Sequence, residues 1–304
     1  MGGVSPLRVG ASFVELARRS GATSIAVVGT AKNVGKTVIV RTICDALSDA
    51  GIAYGLTSIG RDGEELDATD AGAKPRLPLR PGAMIATARD VLPASPASEI
   101  LDLSRMQSAA GPIVYAKVKE TAFYEIAGPP TASGIRAAVE HLFALGATFV
   151  VLDGAVDRIA ALAGGRHAIV VATGASNVST PAEALDDVRA LVARLQIPKA
   201  DPAQRSLHIE GALAPSDISR LLAARETRQI VVRDPTQILV RGKAFLGIGD
   251  RLRLRCERPL NVVAVSVASI GRDRYFEPRT FLQEVAGACK LPAFDAYAGA
   301  MAAV

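Results

Sequence analysis

Gly29-Thr30-Ala31-Lys32-Asn33-Val34-Gly35-Lys36-Thr37 is the stretch that decides the fold. The six residues before Gly29, at 23–28, form a β-branched run with the length of a buried parallel strand. Residues 37–47, which follow the stretch, carry apolar side chains at helical spacing. A strand, a glycine-rich turn and a helix therefore follow one another, and this order predicts a phosphate-binding loop.

The chemistry of such a loop depends on backbone amides. Its successive N–H groups and the N-terminus of the following helix offer donors and a positive dipole end to an anion. Lys36 would add a point charge beside the terminal phosphates, and the Thr37 hydroxyl would ligate magnesium. The predicted nucleotide-binding residues are Gly29, Thr30, Lys32, Asn33, Val34, Gly35, Lys36 and Thr37.

The loop departs from the common G-x-x-x-x-G-K-[ST] pattern. Five residues, instead of four, separate Gly29 from Gly35, so Thr30 stands where the first glycine is expected. The alternative is an ordinary turn between a strand and a helix.

Composition describes a globular chain of 304 residues that is 49% apolar and carries a formal charge of +5. No run approaches the length of a membrane-spanning helix, and the first twenty residues do not resemble a secretory signal, so a cytoplasmic protein is expected. Aromatic residues make up 4% and there is no Trp, which makes nucleic acid an unlikely partner. The three cysteines are too far apart for a disulfide framework or metal cluster and are expected to be buried.

The pattern of predicted elements indicates an α/β fold. A second strand at 52–58 completes a β-α-β unit and requires a parallel sheet. We expect a mainly parallel sheet of the P-loop NTPase type, flanked by helices, over residues 1–200. Residues 201–304 are expected to form a smaller α/β portion, with partner docking as one role. Two weaker assignments are a strand followed by short helices within 83–105, and a strand at 236–240.

Acidic residues near the ends of predicted strands are candidates for chemistry at the loop. Asp153 ends the apolar strand 147–152 in the manner of a Walker B strand and would share the magnesium with Thr37. The alternative for Asp153 is a helix cap. Asp62 and Glu64 follow the second strand and could orient water near the terminal phosphate. The alternative for both is a solvated acidic loop.

Other polar positions give weaker signals. Asn177, in the turn after the predicted strand 168–172, is a candidate contact to the base, against the alternative of a plain glycine turn. Arg251, Arg253 and Arg255 alternate along one predicted strand, which is typical of an exposed edge or of a surface for an acidic partner. His141, His167 and His208 share no metal-ligand spacing, so structural roles are expected.

The loop resembles that of the dethiobiotin synthetase and cobyrinic-acid amidotransferase branch of P-loop proteins, which also has an extra residue after a leading Gly-Thr. This resemblance implies a mainly parallel sheet and a magnesium-nucleotide site. Dethiobiotin synthetases carry a Lys-Pro pair after the second strand, whereas this chain has Thr57-Ser58-Ile59-Gly60 there. The substrate signature of that ligase is therefore missing.

A resemblance covering more of the chain is to the P-loop subunit of the lysine 5,6-aminomutase reactivase. The strings that carry it are 29–37 with its Lys32-Asn33 pair, 56–64, 124–129, 152–154 with Asp157-Arg158, 172–175, 232–236 and 291–295. The resemblance implies an ATP-driven chaperone that acts with a MutS-like partner on an adenosylcobalamin-dependent aminomutase and exchanges its damaged cobalamin.

The sequence thus predicts a magnesium-dependent nucleoside triphosphatase acting as a reactivating factor. Lys36, Asp62 and Glu64 are the predicted catalytic residues, and Thr37 and Asp153 the metal ligands. ATP is the expected nucleotide, with GTP not excluded, and a homo-oligomer is an open alternative. The rival functions are an ATP-dependent ligase of the dethiobiotin synthetase type and a nucleotide sensor without turnover.

Overall fold

The structure of the chain is a computed structural model that describes residues 5–59, 76–93, 96–154, 156–164, 166–176, 178–271 and 274–303. The side chains at 156–158 and 250 are outside this description. In chain order the helices and strands are α1 (Pro6–Arg19), β1 (Ser24–Gly29), α2 (Lys36–Asp49), β2 (Tyr54–Ser58), β3 (Leu77–Leu79), β4 (Met84–Ala88), β5 (Ser98–Ser108), β6 (Gly111–Val118), β7 (Ala122–Tyr124), α3 (Ala132–Ala144), β8 (Phe149–Asp153), β9 (His167–Gly174), α4 (Pro181–Leu195), β10 (Ser206–His208), α5 (Pro215–Ala223), β11 (Gln229–Val232), α6 (Gly242–Leu246), β12 (Arg253–Cys256), β13 (Asn261–Ala268), α7 (Pro278–Cys289), β14 (Ala293–Asp295) and β15 (Ala300–Ala302).

A large mixed sheet organises the described part of the chain. Its ten strands follow the order β15-β14-β13-β9-β1-β8-β2-β4-β6-β5. The strands from β14 to β4 in this order run parallel, whereas β15, β6 and β5 pair antiparallel at the two edges. The expected α/β class with a mainly parallel sheet is confirmed.

Helices cover both faces of this sheet because its central strands are apolar on both sides. All of β1 except Gly29 is buried, as expected for a strand between parallel neighbours. On one face α1 and α2 pack through Phe13, Ile39 and Ile43. On the other face α3, α4 and α7 pack through a second core that includes Leu142, Val188, Leu195, Phe281 and Val285.

A second, three-stranded parallel sheet of order β10-β11-β12 has its own apolar core. Arg194 of α4 is 5% exposed and donates from Nη1 to the carbonyl of Ile238 at 2.9 Å, which joins α4 to this smaller unit. The residues after 200 therefore divide between two sheets. Residues 206–256 contain the small sheet, whereas β13, α7, β14 and β15 complete the large one.

Two sequence assignments are wrong. The short helices expected within 83–105 are absent from its described residues, apart from one 3₁₀ turn at Arg89–Val91, and β5 forms a long edge strand instead. Most of β5 is exposed, so it lacks the apolar alternation that identifies a half-buried strand. The strand expected at 236–240 is a 3₁₀ turn at Pro235–Gln237, and Asp234 initiates it by accepting from the backbone N–H of Thr236 at 3.0 Å.

The predicted fate of the cysteines is confirmed, since Cys44, Cys256 and Cys289 are all buried free thiols. Among the described residues, no helix combines the length and the apolar character that a bilayer crossing requires.

Candidate functional site

The predicted phosphate loop lies at the carboxyl edge of the large sheet, near its centre. β1 leads into the loop from between β9 and β8, and α2 begins at Lys36 directly after it. The backbone N–H of Thr30 donates to the carbonyl of Ala172 at 2.9 Å, which fixes the start of the loop to β9. The carboxyl edge of an open parallel sheet is where such folds place their ligands.

The turn itself presents unused backbone donors. Within the described part of the chain, the N–H groups of Asn33, Val34 and Gly35 meet no protein acceptor. Asn33 has φ 61° and Gly35 has φ 87°, and left-handed residues within a turn curl successive amides toward a common point. No side chain caps the N-terminus of α2, so its first-turn donors and positive dipole end face the same space. The turn therefore forms an anion cradle.

Lys36 bends back over this cradle. Its Nζ donates to the carbonyl of Ala31 at 2.8 Å, and a Cβ added to Gly29 would lie 2.9 Å from the same nitrogen. Gly29 therefore leaves the room that the ammonium group occupies. Burial lowers the pKa of Lys36, and the nearby carboxylate of Asp153 raises it in part. Lys36 and Asp153 thus belong to one electrostatic unit.

Asp153 reaches this position through strand pairing. β8 lies between β1 and β2, and Asp153 is in register with Val27 on one side and Ser58 on the other. Its carbonyl accepts from the N–H of Ile59 at 2.7 Å, and the N–H of Gly154 donates to Val27 at 3.3 Å. The end of β8 is thereby held beside the loop, while Thr37 is half-buried in the first turn of α2.

The opposite side of the loop contacts a turn after β14 that sequence reasoning missed. Asp295 is fully buried and accepts from Ser269 Oγ, from Ser269 N at 3.3 Å, and from the amides of Tyr297 and Ala298 at 2.9 Å each. These bonds direct Tyr297 onto the loop: a Cβ placed on Gly35 would lie 3.3 Å from Tyr297 Cε2 and 3.3 Å from Ala268 Cβ. The sequence signals were the resemblance of the string 291–295 and its short apolar run ending in Asp, but neither predicts a contact with the loop.

A second missed feature is the segment 125–128, which is bound across the ends of β2 and β4. Ser58 Oγ donates to Ile126 O at 3.0 Å and accepts from Gly128 N at 2.9 Å. Thr87 Oγ1 donates to Glu125 O at 3.1 Å and accepts from Ala127 N at 2.8 Å. This strap closes the carboxyl edge on the β4 side. The available sequence signal was the presence of Ser and Thr near the ends of predicted strands, but the sequence does not reveal their hydrogen-bond partners.

The structure brings together the predicted loop residues from Gly29 to Thr37 with Asp153. Asp62, Glu64 and Asn177 lie outside the described residues. Among the described residues, no group of three or more His, Cys, Asp or Glu side chains could hold a metal ion. The structural roles expected for the histidines agree with the contacts of His167 to Ser24 Oγ at 2.5 Å and of His141 to Asp102 at 2.8 Å.

Comparison of the chain with protein-family models, curated protein sequences and solved structures finds no match.

Proposed function

We propose that the chain binds a nucleoside triphosphate together with magnesium and hydrolyses it. The observation that carries the proposal is the anion cradle at residues 30–35, with unused amides around it and Lys36 folded over it. Backbone donors gathered at a helix N-terminus beside a half-buried ammonium group are the arrangement that phosphate-binding turns use.

Each residue of the cradle has a role in this proposal. The amides of residues 33–35 and the first turn of α2 hold the phosphate oxygens, and Lys36 exchanges its bond to Ala31 O for one to a terminal phosphate. Tyr297 and Ala268 hold Gly35 in its left-handed conformation. Most of the catalytic effect in phosphoryl transfer comes from such positioning and charge stabilisation.

Thr37 and Asp153 fit a magnesium site. A hydroxyl and a carboxylate at one sheet edge are oxygen ligands of the type magnesium prefers, and this ion usually takes its remaining ligands from water and phosphate. The lack of a larger acidic cluster among the described residues is compatible with such a site. When bound, the ion would neutralise charge on the phosphates.

The resemblance to the reactivase subunit extends the proposal to a partner. Hydrolysis would drive a conformational exchange on an adenosylcobalamin-dependent aminomutase, together with a MutS-like protein. What supports this extension is the resemblance of sequence strings, and the strap at 125–128 places one of those strings against the site edge.

Phosphate release from ATP and from GTP, with and without magnesium, tests the proposal. We expect magnesium-dependent release, abolished in Lys36→Ala together with nucleotide binding in calorimetry. Lys119→Ala is the matched control, because Lys119 is an exposed lysine that pairs with Glu99 at 3.1 Å on the far edge of the sheet. Unchanged nucleotide affinity in Lys36→Ala would sink the proposal.

Asp153→Asn separates the metal role from phosphate binding. We expect this variant to retain nucleotide affinity without magnesium and to lose turnover at limiting magnesium. Normal hydrolysis by this variant at limiting magnesium would show that Asp153 is not a metal ligand.

The same phosphate-release assay distinguishes the reactivating role from the two rival functions. Release that rises on addition of an aminomutase supports the reactivating role, whereas release that depends on a small carboxylic acid supports a ligase. Tight binding with no release under any condition supports a sensor.

A further inference from the structure

A cleft of about 850 Å³ lies away from the phosphate loop, where α4, α6, β12 and the end of α7 meet. Its volume is within the range of ligand pockets, about 300–1,000 Å³. Buried apolar side chains form its floor: Val192, Phe245, Ile248, Leu252, Leu254 and Cys289. The floor can therefore take an apolar group out of water.

The rim of the cleft is basic. It carries Arg189 of α4, Arg253 and Arg255 of β12, and Lys290 after α7. Among the described residues that line the cleft, none is acidic. No carboxylate in the described part of the chain forms an ion pair with any of these four side chains. Four cations therefore surround one apolar floor without an ion-pair partner among the described residues.

Two described acidic groups on the segments around the cleft have other partners. Asp186 pairs with Lys243 at 3.1 Å. Asp201 lies near Arg255, but its carboxylate accepts from Ala203 N at 3.0 Å and Gln204 Nε2 at 2.9 Å. Arg255 also donates to the carbonyl of Leu254 at 2.8 Å, so it contributes less to a ligand than the exposed Arg189 and Arg253.

The helix dipoles cancel only part of the positive charge on the rim of the cleft. α4 and α7 both end at the cleft, and each C-terminus carries about −0.5 of an elementary charge. The two ends together offset about one of the four positive charges. Arg253 and Arg255 lie on a strand, where no such dipole acts.

We propose that this cleft binds a phosphate ester that carries an apolar group. The ester group, with a charge of about −1.5 to −2, would meet the guanidinium groups of Arg189 and Arg253, whose planar forks match phosphate oxygens. The apolar group would lie on the floor. Such a ligand would contact β12 of the small sheet and α4 and α7 of the large sheet at once.

Hexyl phosphate is the probe, titrated calorimetrically into the Lys36→Ala protein so that the phosphate loop contributes nothing. We expect binding at a single site, weakened at least about tenfold by Arg189→Gln and again by Arg253→Gln, the loss typical of a charge-assisted hydrogen bond. Arg279→Gln is the control, because Arg279 is exposed at the opposite end of α7 from Lys290. Unchanged circular dichroism checks that each variant is folded.

Comparison ligands test the apolar floor and the basic rim of the cleft separately. Hexanol and inorganic phosphate should each bind more weakly than hexyl phosphate, and hexyl phosphate should protect residues 245–254 and 286–290 from hydrogen exchange. The proposal is overturned if hexyl phosphate does not bind, if both arginine variants bind it as tightly as the parent, or if protection appears elsewhere. It does not depend on nucleotide hydrolysis, so either idea can fail alone.

Discussion

At the scale of single residues, the half-buried position of Lys36 opposes the positive charge that its proposed phosphate contact requires. Burial disfavours its charged form, so its pKa falls below the ordinary 10.5, although Asp153 opposes the shift. The ammonium group is therefore only partly solvated. Under the proposed function, a phosphate group would add negative charge beside it and favour its charged form.

We predict that nucleotide affinity decreases as pH rises on the alkaline side, beginning below the pH at which an ordinary lysine titrates. The sign follows because phosphate binds the protonated ammonium group, and the lowered pKa of Lys36 brings its deprotonation to lower pH. Calorimetric titrations between about pH 7 and pH 10.5 would measure this decrease.

The Lys36→Ala protein is the control for this profile, since it should show no measurable nucleotide binding at any pH in the same interval. An affinity of the unsubstituted chain that stays constant up to the ordinary lysine pKa would contradict the assignment of Lys36 as the phosphate contact.

At the scale of elements, the strap at 125–128 packs tightly against the carboxyl edge of the large sheet. Gly128 lies so close to β2 that an added Cβ would be 2.0 Å from the carbonyl oxygen of Ser58 and 2.8 Å from Thr57 Oγ1. The backbone of the strap at 125–128 therefore approaches the end of β2 in a way that only glycine permits.

We predict that Gly128→Ala destabilises the chain by about 1–3 kcal/mol, the usual cost of overpacking a tight site. The closest atom is backbone and cannot rotate away, so the strap must move. Urea unfolding followed by circular dichroism measures the change in the free energy of unfolding.

Gly287→Ala is the matched control, because Gly287 lies in α7 with nothing within 4 Å of an added Cβ. This change should stabilise the chain by about 0.5–1 kcal/mol through helix propensity. Equal effects of the two substitutions would show that the close approach at Gly128 has no energetic consequence.

At the scale of the whole molecule, three apolar cores are connected through the large sheet and α4. Each core contains one buried cysteine: Cys44 lies on α2, Cys289 is the last residue of α7, and Cys256 ends β12 in the small sheet. α4 packs on the large sheet through Leu195. Arg194 donates to the carbonyl of Ile238 in the small unit, and Ile197, just after α4, belongs to the core of that unit.

We predict that the three thiols lose protection together when the chain is titrated with urea. In the folded chain, burial raises the pKa of Cys256 and of Cys289 to about 11 and raises the pKa of Cys44 as well, so little thiolate is present at pH 8. Unfolding α4 would disrupt both sheets, so labelling by a thiol reagent should follow one transition.

Variants that retain one cysteine, with the other two changed to Ala, assign each labelling curve. If Cys256 becomes reactive at a lower urea concentration than Cys44, the small sheet opens independently and the coupling through α4 is too weak to join the two units.

Sequence reasoning succeeded where local patterns are strong. The strand, loop and helix at 23–47 have a buried parallel strand, a left-handed glycine and an amphipathic helix, and each signal is local. It failed at β5, most of which is exposed, and at 236–240, where a local side-chain bond produced a turn. The burial of the cysteines followed from their composition and spacing alone.

The sequence by itself determined the succession of strand, turn and helix at 23–47 and the mainly parallel character of the sheet, because short-range periodicity and turn chemistry encode them. Only the tertiary structure decided which distant groups meet at that loop. Asp153 lies beside it because β8 pairs with β1, and Tyr297 reaches Gly35 because buried Asp295 orients the turn after β14. Residues more than a hundred positions apart meet in these contacts. The position of Asp153 at the end of an apolar strand predicted its place beside the loop, whereas no local pattern records the approach of Tyr297 to Gly35.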